Sequence, residues 1–82
     1  MIVKSSERLM ALQGQTLETF HNMHGVCVRY KNAEVKDGVV LAGVYGVGDD
    51  FEKACDDYLL QISGKTLVFN AYSDKRKEVF VL

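Results

Sequence analysis

The segment DDFEKACDDYLLQISGK, residues 49–65, decides the fold because it encodes a complete amphipathic helix. Asp49 and Glu52 form an Asp-x-x-Glu capping pair at its start, and Gly64 follows its last apolar residue as a C-terminal cap. The spacing predicts a helix over about 50–62 with one side on a core. The apolar positions that define this side are Phe51, Ala54, Cys55, Tyr58, Leu59 and Ile62.

The other side of the same helix carries most of the negative charge of the chain. We call its members the acidic face: Asp49, Asp50, Glu52, Asp56 and Asp57. With one lysine among them, residues 49–57 have a local charge of −4, whereas residues 65–78 have a local charge of +2. Separated charges of this kind can steer a protein partner or simply interact with water.

Composition places the chain among small globular proteins of one domain, here 1–82. It has 82 residues, of which 48% are hydrophobic and 26% are charged, and its formal net charge is −1. A charge this close to zero selects neither nucleic acid nor an anionic membrane as a partner. Cys27 and Cys55 lie in apolar patterns and no signal segment precedes them, so we expect buried thiols in a cytoplasmic protein without membrane association.

The remaining chain predicts a second helix and four strands. Leu9, Leu12, Thr16, Phe20 and Met23 lie near one face of a helix over about 7–23, or of two short helices hinged near Gly14, with Gly25 at the end. Four apolar or alternating segments predict strands over 26–31 with a possible extension to Val35, and over 39–47, 66–71 and 77–82. Glycines 43, 46 and 48 indicate bends or close approaches in the second strand.

These elements predict an α+β fold of order α-β-β-α-β-β. Its sheet has four mainly antiparallel strands packed by two helices, and Lys36-Asp37-Gly38 forms a tight hairpin turn. Several strands are apolar on both faces, which an antiparallel sheet with one wet face does not require. Either the helices cover opposite faces or a second copy covers one of them, so we expect a homodimer.

No combination of residues supplies a nucleophile, a base and an orienting group, so the sequence predicts no enzyme and no cofactor. His21, His24 and Cys27 have the residue types of a metal site, but they lack a fourth ligand and need not converge. The glycines of 43–48 lead into the helix as in a phosphate-binding loop, yet Asp49 and Asp50 occupy the position of the anion. We therefore predict no metal or phosphate site.

The run from Asp50 to Ala71, continuing to Arg76-Lys-Glu-Val, resembles short proteins encoded by phages and prophages of Gram-positive bacteria. The succession of strand, acidic helix and strand is also similar in topology to HicB-like antitoxin domains, although those begin with strands. The phage resemblance implies a small accessory protein of the bacterial host cell that binds and inhibits a host machine, anti-CRISPR proteins among them. Neither resemblance matches a site residue.

Three functions follow as hypotheses. The first is a non-enzymatic, phage-encoded protein that modulates a host protein complex, such as a defence machine, through the acidic face. The second is a nucleic-acid-binding accessory protein in which Tyr72 stacks on a base. Its phosphate contacts come from the basic set Arg29, Lys31, Lys75, Arg76 and Lys77. The third is a structural or antitoxin-like scaffold.

Overall fold

The computed structural model describes residues 3–12 and 16–82, and these form two helices and seven strands. In chain order they are α1 (Ser5–Ala11), β1 (Leu17–Asn22), β2 (Gly25–Tyr30), β3 (Ala33–Asp37), β4 (Val40–Ala42), β5 (Gly46–Gly48), α2 (Phe51–Ile62), β6 (Thr66–Phe69) and β7 (Lys77–Phe80). The strands build a sheet of order β1-β2-β5 and a sheet of order β4-β3-β6-β7, both antiparallel. The α+β class and the four-stranded antiparallel sheet are thus confirmed, whereas the three-stranded sheet was not predicted.

Helix α2 begins and ends where its sequence predicts, with one change at the cap. Asp50 has an extended backbone, and its Oδ1 accepts a hydrogen bond from the Lys53 N–H at 2.8 Å. The cap is therefore Asp50, and the predicted pairing of Asp49 with Glu52 is wrong by one position. At the other end, Gly64 adopts a φ of +75°, which a glycine accepts without steric cost, and it confirms the predicted stop.

The apolar side of α2 lies directly on the backbone of β5. Ala54, Cys55, Tyr58 and Ile62 are buried, whereas Phe51, the first residue of the stripe, remains 36% exposed. A Cβ atom at Gly46 would lie 2.1 Å from the carbonyl oxygen of Ala54. The glycines of this strand thus mark a close approach, as expected, because only a bare backbone leaves room for the helix.

The predicted N-terminal helix over 7–23 is confirmed as far as Ala11 and is wrong over residues 17–23. Residues Leu17–Asn22 instead form β1, which pairs with β2 so that Phe20 lies opposite Cys27. The hairpin turn follows at once, and the Asn22 Oδ1 accepts a hydrogen bond from the His24 N–H at 2.8 Å. The predicted hinge at Gly14 lies outside the described residues.

Two predicted strands are each divided between the two sheets. The first, over 26–31 with Val35, breaks after Tyr30 because Asn32 takes a φ of 57°, and its halves become β2 and β3. The second, over 39–47, becomes β4 and β5. The hairpin turn between β3 and β4 is confirmed, and the last two strands are shorter than predicted, ending at Phe69 and Phe80.

The division of two predicted strands between two sheets accounts for much of the apolar character that these strands show on both of their faces. The main core joins α1, α2 and the inner faces of the sheets through side chains such as Leu9, Tyr30 and Leu67. Val68 and Cys27 are fully buried outside this core cluster. In the sheet register Val68 stands between two glutamates, and Cys27 stands between Phe20 and Val47. Self-association stays a prediction.

Candidate functional site

The acidic face holds the two helices of the fold together. Ser6 donates from its Oγ and, at 3.5 Å, from its backbone N–H to the Glu52 carboxylate, and the Ser5 Oγ donates to Asp56. Both serines belong to the first turn of α1, where the helix dipole and unpaired N–H groups favour negative charge. These two carboxylates therefore have a structural role whether or not a partner binds them.

The other acids of this face also have intramolecular partners. The Asp57 Oδ2 accepts hydrogen bonds from the Val47 N–H at 2.9 Å and from the Gln61 Nε2 at 3.0 Å. Asp50 is the cap of the helix. Asp49, whose side chain is 91% exposed, makes an ion pair of 3.7 Å with Lys53. The structure thus places the five acids along α2, but it commits most of them to the fold.

The arginines of the basic set carry out similar local roles. The Arg29 Nε lies 3.4 Å from the Glu18 carboxylate, and its guanidinium lies 5.4 Å from the centre of the Phe20 ring. Arg76 pairs with Glu78 at 2.8 Å. Hydrogen bonds from Arg76 and then from Lys36 lower the pKa of the Glu78 carboxyl. The lysines at 31, 75 and 77 lie in or beside the two connections described next.

A cleft of about 460 Å³ is lined by the β2–β3 turn and the β6–β7 loop. Its size falls within the range of about 300–1,000 Å³ that is typical of ligand sites. Besides the buried Tyr30, six polar or aromatic residues line it and define what we call the cleft: Arg29, Asn32, Glu34, Asn70, Tyr72 and Ser73. Arg29 of the predicted basic set thus lines the same cleft as Tyr72.

A backbone hydrogen bond joins the two walls of the cleft. The Asn70 N–H donates to the carbonyl oxygen of Asn32 at 3.0 Å. Both residues have positive φ angles, 57° at Asn32 and 53° at Asn70, a region that asparagine tolerates better than most residues. The chain therefore turns sharply at both positions, and the two turns face each other.

The β6–β7 loop is stabilised by bonds around Ser73. The Ser73 N–H donates to the Asn70 carbonyl oxygen at 3.1 Å, and the Ser73 Oγ accepts from the Lys75 N–H at 3.1 Å. Arg76 adds a bond from Nη1 to the Ala71 carbonyl oxygen at 3.4 Å. Tyr72, held between these bonds, is 88% exposed, so its ring is available to a ligand.

Glu34 is the residue of the cleft that sequence reasoning missed. Its Oε2 is buried, and it has no hydrogen-bond partner among residues 3–12 and 16–82. An isolated glutamate in an alternating strand is an ordinary surface pattern, so the sequence offers no signal for it. Asn32 had a weak signal, since asparagine is common where the chain turns.

The residues considered for metal or thiol chemistry lie on the β1–β2 hairpin and on α2. His21 is on exposed β1, His24 is in the following turn and Cys27 is buried in β2. Throughout the described chain, no group of three or more His, Cys, Asp or Glu side chains is placed to hold a metal ion. Burial, followed by the nearby Glu52 and Asp56 carboxylates, raises the pKa of the Cys55 thiol to about 11, so this thiol is held in its protonated form.

In the part of the chain that the structure covers, no helix has the length and hydropathy needed to span a bilayer. The longest, α2, has 12 residues, where a span needs about 20. Comparisons with protein-family models, with curated protein sequences and with solved structures found no match for this chain.

Proposed function

We propose that this chain is a non-catalytic binding protein that receives single-stranded nucleic acid in the cleft. The observation that carries the proposal is the position of Tyr72, an exposed aromatic residue in a cleft that Arg29 also lines. An aromatic face for a base beside a cation for a phosphate is the usual combination in proteins that bind single strands.

The shape of the cleft favours an unpaired strand over a duplex. Its volume of about 460 Å³ accommodates a base that has left its stack, whereas the bases of a duplex stay stacked out of reach. Lys31 and Lys75 lie on the connections that form the two walls and Lys77 begins β7 beside them, and we expect these lysines to contact the phosphates on either side of the bound base. Because the net charge is only −1, we expect these local contacts and not a global field to provide the attraction.

Changing Tyr72 to alanine tests this function. We expect Tyr72→Ala to weaken the binding of a short oligothymidylate by about 1–3 kcal/mol, the usual contribution of one stacked base. Tyr72→Phe keeps the ring and should bind like the unchanged protein. Fluorescence anisotropy of a labelled single strand at several salt concentrations measures both, with a duplex of the same length as a second probe. Equal affinity of Tyr72→Ala and the unchanged protein would overturn the proposal.

A protein partner is the second candidate function, and an exposed leucine favours it. Leu60 of α2 is 77% exposed. It continues an exposed stripe of Asp49, Lys53 and Asp56 at the spacing of one helical side. We infer that this stripe, with an apolar residue at one end beside acidic residues, would dock on a basic surface of a host complex. This reading keeps the phage-borne inhibitor of anti-CRISPR type, and a homodimer in the bacterial cytoplasm, as part of the hypothesis.

The test of this candidate uses the residues of the stripe that the fold does not need. Replacing Glu52, Asp56 or Asp57 would break hydrogen bonds to α1 or β5 and so confuse binding with folding. We expect Asp49→Lys together with Leu60→Lys to abolish capture of a basic protein from host lysate while thermal stability is retained. Capture that survives this double change would exclude the stripe as the docking surface.

A further inference from the structure

Glu34, one of the residues that line the cleft, has a buried carboxylate oxygen without a hydrogen-bond donor among the described residues. Glu34 lies on β3, an inner strand of the four-stranded sheet. An unsatisfied acceptor in such a place is unfavourable, and a charged one more so. A ligand that donates to this oxygen therefore gains more affinity than it would from a carboxylate already bonded to water.

The basic side chains that lie on the same strand as Glu34 or line the same cleft are already paired with other glutamates. Arg29, which lines the same cleft, is bonded to Glu18. Lys36, two residues along the strand on the same face, donates to Glu78 at 3.2 Å. Glu34 faces a neighbouring valine on β6 in the register, and that side chain offers no donor. The missing donor is thus best supplied by a ligand in the cleft.

We propose that Glu34 makes the cleft selective for guanine, an inference that rests on the proposed binding of single strands. Guanine is the one common base whose Watson–Crick edge presents two adjacent donors, the N1–H and the N2 amino group. These match the two oxygens of a carboxylate in a bidentate arrangement, for which the Glu34 side chain turns its buried Oε2 toward the base. Adenine and cytosine each place an acceptor next to their amino donor, and uracil flanks its single N–H with two carbonyl oxygens, so each would bring an acceptor toward Glu34.

The cleft also provides the second contact that such recognition needs. We expect a base whose edge meets Glu34 to rest its flat face on Tyr72, because both residues line the same cleft. Stacking on the ring tolerates any base, whereas the carboxylate discriminates among them. The two residues therefore have separable effects, one on affinity for all strands and one on preference.

The inference is tested with short oligothymidylates that carry one central guanosine or one central inosine. Inosine lacks only the N2 amino group, so the comparison isolates one of the two donors. We expect the unchanged protein to bind the guanosine strand about ten-fold more tightly, a discrimination in the range of one good base contact. We expect Glu34→Gln to remove this ratio, because the amide presents one acceptor and one donor instead of two acceptors.

Glu78→Gln is the matched control. Glu78 lies on the same face of the sheet, across the valine from Glu34, and the change alters the net charge equally. Glu78→Gln releases Arg76 and Lys36, which can change the affinity for every oligonucleotide. We expect the ratio of the affinities for the guanosine and inosine oligonucleotides to stay as in the unchanged protein. A thermal melt of each variant confirms that it is folded. Glu34→Gln removes no hydrogen bond recorded among the described residues, so it should melt no lower than the unchanged protein.

The outcomes separate this inference from the function on which it rests. If all strands bind through Tyr72 but guanosine and inosine bind equally, guanine selection is wrong and the proposed function stands. If no strand binds, the proposed function is wrong, and guanosine monophosphate becomes the probe. Binding of that nucleotide that is lost in Glu34→Gln would retain guanine selection with a free nucleotide as the ligand. Failure of that binding as well would overturn both.

Discussion

Gly46→Ala is expected to lower the free energy of unfolding by about 3 kcal/mol or more, the upper end of the cost of overpacking. The added Cβ would lie 2.1 Å from the Ala54 carbonyl oxygen and 2.5 Å from the Tyr58 Cβ. These atoms belong to the backbone and to the root of a side chain, so no rotamer change makes room. The helix would have to leave the strand on which the core depends. Urea unfolding followed by circular dichroism measures the loss.

Gly43→Ala provides the control for this change. Gly43 lies three residues before Gly46, in the connection between β4 and β5, and a Cβ there meets nothing within 4 Å. We expect its free energy of unfolding to stay within about 0.5 kcal/mol of the unchanged protein, as for ordinary surface substitutions. If the two alanine variants were equally stable, the direct packing of α2 on β5 would be wrong.

Alkaline pH is expected to unfold the protein because it removes the protons of buried tyrosine hydroxyls and of a buried cysteine thiol. Burial raises the pKa of the Tyr30 and Tyr58 hydroxyls above the ordinary value of 10.0, and that of Cys55 from 9.0 to about 11. As the pH rises, the unfolded chain loses these protons at a lower pH than the folded chain does. The contribution of these groups to stability is therefore complete below their pKa values in the unfolded chain and is lost as the pH rises through their pKa values in the folded chain. Each group then lowers stability by about 1.4 kcal/mol per pH unit, and we expect the helical signal to disappear between about pH 10 and 12.

The measurement is a spectrophotometric titration of a variant in which the exposed tyrosines, Tyr45 and Tyr72, are replaced by phenylalanine. Of the four tyrosines in the sequence, this leaves only Tyr30 and Tyr58. Their rings pack edge to face at 5.6 Å, and the Tyr58 Oη accepts from the Tyr30 N–H at 3.2 Å. We expect tyrosinate absorbance to rise together with the loss of helical circular dichroism. Ionisation that precedes unfolding would show that water reaches the two rings in the folded state.

Sequence reasoning succeeded where one short segment contained every determinant of its own structure. Helix α2 has its stripe, its cap and its stop within residues 50–64, and tertiary contacts only had to cover a side that was already apolar. The hairpin ending near Gly38 is local in the same way. The class of fold followed from these elements and from the number of apolar strands.

The N-terminal half was harder because its pattern fits two periods. Leu9, Leu12, Phe20 and Met23 lie near one helical face, but the stretch 17–22 also suits a strand. Pairing with β2 decides for the strand, and that partner is a tertiary feature. Met23, expected on an apolar face, is 92% exposed in the hairpin turn. The divided strands were missed for a related reason, since a single residue with positive φ, Asn32, redirects the chain.

The candidate site was only partly visible in the sequence. Tyr72 and the basic residues that follow it form a charged turn that is evident in the sequence, and Asn70 lies two positions before Tyr72. The cleft combines these with Arg29, Asn32 and Glu34, which lie some forty positions earlier and meet them only through the pairing of β3 with β6. The acidic face failed to stand out as structural because the docking of α1 on α2 depends on a contact between segments almost fifty positions apart.

The bond between Asn70 and Asn32 has a consequence for the thermodynamics of recognition. Because it fixes both walls before any ligand arrives, binding need not bear the entropy of ordering a loop, which commonly weakens association. The affinity then reflects the contacts themselves, with little conformational cost to subtract. We accordingly expect the backbone of both walls to keep its free conformation when a ligand binds.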